Sequence, residues 1–129
     1  MRKYIITPVL LAIVCMVMCR CTSNRKASVA ANEYLIQGEL ANLPDSIVIG
    51  LYEEDGNILN CVLRDTLMNG QFFFRDTVST TRKMLIMSDN RGFPGTWLEV
   101  WIAPGEYIEI KGQDKLVKTW EVVSDVPEQ

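Results

Sequence analysis

The residues of this chain that could carry chemistry are its acids, a few hydroxyls, one isolated cysteine and a pair of tryptophans. Asp65 and Thr66 stand side by side, a base beside a nucleophile. A nucleophilic hydroxyl needs an activating base within hydrogen-bond reach, itself oriented by a third group. The chain contains no histidine, the commonest such base, and Asp65-Thr66 is read as strand surface. Glu53-Glu54-Asp55 could lend oxygens to calcium, but a closed calcium site takes about six to eight. These three flank a turn glycine, Gly56, and read as a solvated loop, so neither a metal nor a cofactor is expected. Carboxylates at 53–55 and 99–109 would suit an acid-based hydrolase if two of them met about 5–10 Å apart in a cleft; sequence alone does not bring them together. Cys61 would be reactive beside a positive charge with access to solvent, whereas its leucine-rich strand reads as holding a buried, inert thiol. Trp97 and Trp101, with Tyr107 across the next turn, form either an exposed aromatic platform for a glycan or a partner, or packing in the core of a second sheet. The core reading is preferred.

These side chains are positioned by elements with a period of two. Runs of five to eight apolar or half-apolar residues are separated by Gly, Asn, Asp and Pro, the punctuation of strands and tight turns. The run 33–40 places Tyr34, Ile36 and Leu40 on one face, and 46–52, apolar on both faces, reads as a central strand. Residues 57–67 return with Leu59, Cys61 and Leu63 on one side and Asn60 and Arg64 on the other. In DTLMNGQFFF (65–74), Asn69-Gly70 is the strongest short hairpin signal, because a type I′ turn needs positive φ at both central positions. The following strand sends Phe72 and Phe74 inward and Phe73 outward. The second half repeats the pattern with 83–88 as a buried strand, 89–96 as a loop and 97–103 as a strand. Leu98, Val100 and Ile102 there oppose Trp97, Glu99 and Trp101. Pro104-Gly105 turns the chain into 106–112, and 119–123 is a last short strand. No stretch beyond the leader holds helical periodicity for three turns. The expected fold is all-β, an antiparallel sandwich or open barrel of about eight strands.

With 129 residues, 48% hydrophobic and 22% charged, the chain has room for one compact domain. Its first twenty residues are set apart by Met1-Arg2-Lys3 and an apolar run from Tyr4 to Met18, the pattern of an export-signal helix. The run is shorter than the roughly 20 apolar residues that span a bilayer. Three cysteines (Cys15, Cys19, Cys21) crowd its end and a polar stretch follows, as in bacterial lipoprotein signals. The expected organisation is a signal at 1–20, a polar tether at 21–32, a β-domain at 33–125, and a tail or linker start at 126–129. Cys21, with Cys19 as the alternative, is the expected lipidation site; cleavage after Ser28-Val29-Ala30 is the competing outcome. Acyl chains anchor by about 0.8 kcal/mol per buried methylene and would hold the domain on a membrane without a span. Beyond residue 20, ten basic residues face sixteen acidic ones. Such a field does not draw nucleic acid, which is excluded as a partner. Cys21 and Cys61 alone remain after cleavage at Cys21, so there is no C-x-x-C pair and no disulfide framework.

The order of YLIQGEL, LRDT, NGQFFF, WLEVWIAPGEYIEIKG and TWEVVSDVPEQ resembles the DUF4369 module. That β-rich amino-terminal domain is found in exported thiol-disulfide oxidoreductases of the thioredoxin and AhpC/TSA type, mostly from Bacteroidetes. The resemblance covers about residues 33–125 and implies an exported, membrane-anchored lipoprotein facing the periplasm, with a thioredoxin-like domain or another envelope protein as partner. Longer members continue into a thioredoxin fold whose C-x-x-C does the redox chemistry, and no catalytic residue carries over to the positions present here. The expected function is a non-catalytic, tethered β-domain that binds a partner or presents a redox domain. The alternative is the amino-terminal portion of a thiol-disulfide oxidoreductase, and an acid-based hydrolase ranks third.

Overall fold

A computed structural model describes residues 28–127 and 129. The export signal, Cys19, Cys21 and the first part of the expected tether lie outside the described residues. Eight strands follow in order: β1 (Glu33–Leu40), β2 (Ile47–Asp55), β3 (Ile58–Leu67), β4 (Gln71–Thr77), β5 (Arg82–Met87), β6 (Leu98–Ile102), β7 (Tyr107–Gly112) and β8 (Glu121–Val123), with a single 3-10 turn at Val117–Thr119 before the last. They form two four-stranded sheets, β4-β1-β7-β8 and β3-β2-β5-β6. The protein is therefore a β-sandwich and not a barrel.

Alternation decides which side chains meet between the sheets. Tyr34, Ile36 and Leu40 of β1, Phe72 and Phe74 of β4, and Ile108 and Ile110 of β7 are all buried, as are Ile47, Ile49 and Leu51 of β2, Met84 and Ile86 of β5, and Val100 and Ile102 of β6. Among the described residues none that is polar or charged is buried. Each fully buried aliphatic side chain contributes about 1.5–3 kcal/mol relative to exposure. Gly38 faces the same core, and a Cβ there would lie 2.0 Å from the ring of Phe72, its cross-strand partner. The missing side chain is the space that the phenyl ring fills. Phe93 and Trp120, edge to face at 5.7 Å, also join this core, and Trp120 lies over Gly112.

Two features depart from the sequence reading. Five of the six strand pairs are antiparallel, but β1 and β7 run parallel in the middle of the first sheet. The turn at Asn69-Gly70 has the expected positive φ at both residues, 52° and 75°, yet it joins strands of different sheets. Only one bridge, Met68 to Gln71, links its arms; beyond it β3 pairs with β2 and β4 with β1. The chain thus passes between sheets as a corner at Asn69-Gly70 and again at Pro104-Gly105. At the first corner Leu40 N–H donates to the Gly70 carbonyl at 2.6 Å, and Asn69 N–H donates to Asp45 at 2.9 Å.

Both ends of the described chain are held. Arg75 donates to the Ser28 carbonyl at 3.0 Å and Val78 N–H donates to the Asn32 carbonyl at 2.9 Å, so residues 28–32 lie against the sandwich. Val126 is buried, and Gln129 Nε2 donates to the Trp101 carbonyl at 2.6 Å. The tail therefore passes from β8 of one sheet to β6 of the other.

Candidate functional site

The outer face of the second sheet carries an open groove with apolar walls. Its floor and walls are Leu85 of β5, Leu59 of β3 and Trp97, just before β6; Glu54, Asn57, Lys83 and Glu99 rim a volume of about 420 Å³. Leu85 is 5% exposed although it points outward, whereas Trp97 is 53% and Leu59 46% exposed. The groove thus has a covered apolar floor between two open apolar walls.

A bulge puts Leu59 there. The β2–β3 ladder steps from Leu51–Leu63 to Tyr52–Cys61, leaving Val62 as the extra residue. One inserted residue reverses the facing of everything beyond it. Leu63 packs against the core, while Cys61 and Leu59 come out on the other side with Tyr52 and Glu54. The expectation that Leu59, Cys61 and Leu63 share a face is corrected accordingly. Cys61 is half-buried rather than buried, its thiol donating to the Leu63 carbonyl at 3.4 Å. The Tyr52 phenol, pushed up by burial and by the adjacent Cys61 thiol, lies over Gly50.

Strand order brings the charges together. Lys83 Nζ lies 3.6 Å from Glu54 Oε2 and 3.9 Å from Glu99 Oε1, and β2, β5 and β6 are neighbours in the sheet. The structure thus joins carboxylates from both regions considered for a hydrolase. Glu54 and Glu99 share one counter-ion, however, and an acid–base division of labour rests on surroundings that differ between the two groups. Glu53, a calcium candidate in the sequence, is instead paired with Arg82 at 2.8 Å. Among the described residues no group of three or more His, Cys, Asp or Glu is placed to hold a metal ion.

The three aromatic residues singled out in the sequence separate. Trp97 and Trp101 are on the outer face of the second sheet, not in the core as preferred, because Val100 and Ile102 occupy the inward positions of β6. Trp101 is half-buried and stands across from Lys83 in the β5–β6 ladder. Tyr107 belongs to β7 of the first sheet, where its hydroxyl donates to Gln37 at 3.0 Å and burial raises its phenol pKa. It lies on the opposite outer face and is no part of the groove. Lys83 and Leu85 were missed in the sequence because residues 83–88 read as a buried strand; the alternation Lys83, Leu85, Met87 was the available signal.

Asp65 and Thr66 have a structural role. Asp65 accepts from Thr66 N–H at 2.8 Å through one carboxylate oxygen and from Phe73 N–H at 2.9 Å through the other. A larger hollow of about 640 Å³ lies at the end of the first sheet, lined by Glu39, Lys111, Asp114 and Glu121 among others. It is open and lined mainly by charged and amide side chains and backbone, and Glu109 neutralises Lys111 at 3.2 Å beside it.

Fold and site together define a four-on-four β-sandwich with an aromatic groove on one sheet face. Comparison with protein-family models, with curated proteins and with solved structures gives no match to this chain.

Proposed function

We propose that this protein is a non-catalytic β-sandwich module of the cell envelope, tethered to a membrane by a lipid on Cys21 (Cys19 being the alternative) and facing the periplasm, and that it docks a partner protein through the outer face of its second sheet. One observation carries the reading: Trp97 and Leu59 stand about half-exposed across a groove floored by Leu85. Half-exposed tryptophan beside aliphatic walls is the composition of interface anchors, in which an aromatic residue buried on binding supplies much of the affinity. The leader and its cysteines support the tether, and the likeness to the DUF4369 module supports the envelope setting.

A photo-crosslinking amino acid at position 97, introduced into the protein in its native membrane, tests the docking face. The reading expects a discrete crosslinked product from position 97 and none from position 121, on the exposed edge of the first sheet. Equal or absent crosslinking at the two positions would sink it. Intact mass of the detergent-extracted protein tests the tether: an acylated chain beginning at Cys21 or Cys19 is expected, and an unacylated chain beginning at Ala31 would remove the anchor.

A second reading, the module as presenter of a thiol-disulfide domain in the same polypeptide, draws support from the path of the tail. Gln129 is bonded to the carbonyl of Trp101, so a following domain would emerge beside the tryptophan-bearing strand.

A further inference from the structure

We propose that the groove between Trp97 and Leu59 takes a polypeptide segment that presents an apolar side chain flanked by lysine or arginine, an inference that rests on the partner-docking reading above. The apolar part follows from Leu85, Leu59 and Trp97. The basic part follows from the rim. Glu54 and Glu99 are about half-exposed, and the cation they share among the described residues, Lys83, stands 3.6 and 3.9 Å away. A charge-assisted hydrogen bond closes to about 2.7–2.9 Å, as the neighbouring Arg82–Glu53 pair does at 2.8 Å. Lys83 therefore lies between two carboxylates without closing a short bond to either, and an incoming ammonium or guanidinium can make the bonds that Lys83 does not. The surrounding field has the same sign: residues 28–129 contain eight lysines and arginines against sixteen acids. Such a field steers a basic segment toward the groove and repels an acidic one. A glycan would stack on Trp97 and bond to the polar rim, but the floor (Leu85) and the opposite wall (Leu59) are aliphatic, which suits an apolar side chain better than a sugar ring.

The test uses the full chain in neutral nanodiscs, with empty discs as blank, and a synthetic heptapeptide of alternating lysine and leucine. Control peptides carry glutamate for lysine or serine for leucine, and a neutral gluco-oligosaccharide represents a glycan. Binding is read as the change in tryptophan emission, with Trp97→Phe identifying the reporting ring. The lysine–leucine peptide is expected to bind and both control peptides to bind at least tenfold more weakly. Glu54→Gln with Glu99→Gln should weaken binding about tenfold, and Lys83→Met, which frees both carboxylates, should tighten it several-fold. Raising the salt concentration should weaken the wild type more steeply than the double variant. Indifference to the charge substitutions, equal binding of the glutamate peptide, absence of binding, or a response to the oligosaccharide alone would overturn the proposal. Because all four substituted side chains are partly exposed and outside the core, folding is checked by denaturation midpoint, and the comparison of the lysine and glutamate peptides on the wild type tests the charge preference without any variant. If position 97 crosslinks a partner while the charge substitutions have no effect, docking stands and this proposal alone falls; if position 97 captures nothing, both fall.

Discussion

Asp65 on β3 accepts a hydrogen bond from the backbone N–H of Phe73 on β4 at 2.9 Å, joining two strands that belong to different sheets. Where a hairpin would continue its ladder, one carboxylate reaches across instead. Removing it leaves an amide on an edge strand to find water. Asp65→Ala should destabilise the fold by about 1–2 kcal/mol, and Asp65→Asn, which keeps one acceptor oxygen, by less. Urea denaturation checks this as a lowered midpoint with an unchanged slope; an unaltered midpoint for Asp65→Ala would mean that the corner is held by its turn alone.

Gly38 and Phe72 should behave as a coupled pair. A Cβ at 38 would meet the Phe72 ring at 2.0 Å, and that ring is only 1% exposed, packed within the core. Gly38→Ala alone is expected to cost about 1–3 kcal/mol through overpacking. Combined with Phe72→Leu it should cost less than the two single changes together, since the smaller side chain returns the space. Additive costs in the double-mutant cycle would contradict the packing account.

Alkaline pH should unfold the domain partly through Tyr34. Burial first, and the Asp76 carboxylate second, push its phenol up to about 12 from the ordinary value of 10.0. The unfolded chain gives up that proton near pH 10 while the folded protein holds it to about 12. The contribution is therefore fully present below pH 10 and lost as pH rises through 12. Stability measured from pH 9 to 12 should fall more steeply in the wild type than in Tyr34→Phe, and parallel curves would refute the assignment.

The tail is expected to be part of the folded unit. Val126 is 4% exposed, and Val126→Ala removes two buried methyl groups, worth about 1–2 kcal/mol. A denaturation midpoint indistinguishable from wild type would show that residues beyond β8 contribute nothing to the sandwich.

What was legible in the sequence was local. Asn69-Gly70 declared its turn because two successive positive φ angles are a requirement of the residues themselves, and Phe72 and Phe74 followed from strict alternation. What lay outside the reach of alternation was set by distant partners. Nothing in LRDT says that Asp65 will cap a strand of the other sheet, and a turn signal is the same whether its arms stay together or part. The bulge at Val62 is a single extra residue in an otherwise regular strand, yet it moved Leu59 and Cys61 to the opposite face. The groove was hidden for the same reason: its walls, floor and rim come from four strands and a turn, and only the strand order brings Lys83 between Glu54 and Glu99.

The parallel pairing of β1 with β7 also sets a timetable. Gln37 and Tyr107, bonded across that seam, are 70 positions apart in the chain, and β1 has only β4 as its other neighbour. Long loops must close before such a contact is rewarded, and sandwiches of this kind fold in about milliseconds to seconds rather than microseconds. While the polypeptide is being made, the second sheet can assemble once residue 102 is free, but the middle of the first must wait for residues 107–112. Until β7 pairs with it, β1 offers an open edge to any extended chain it meets.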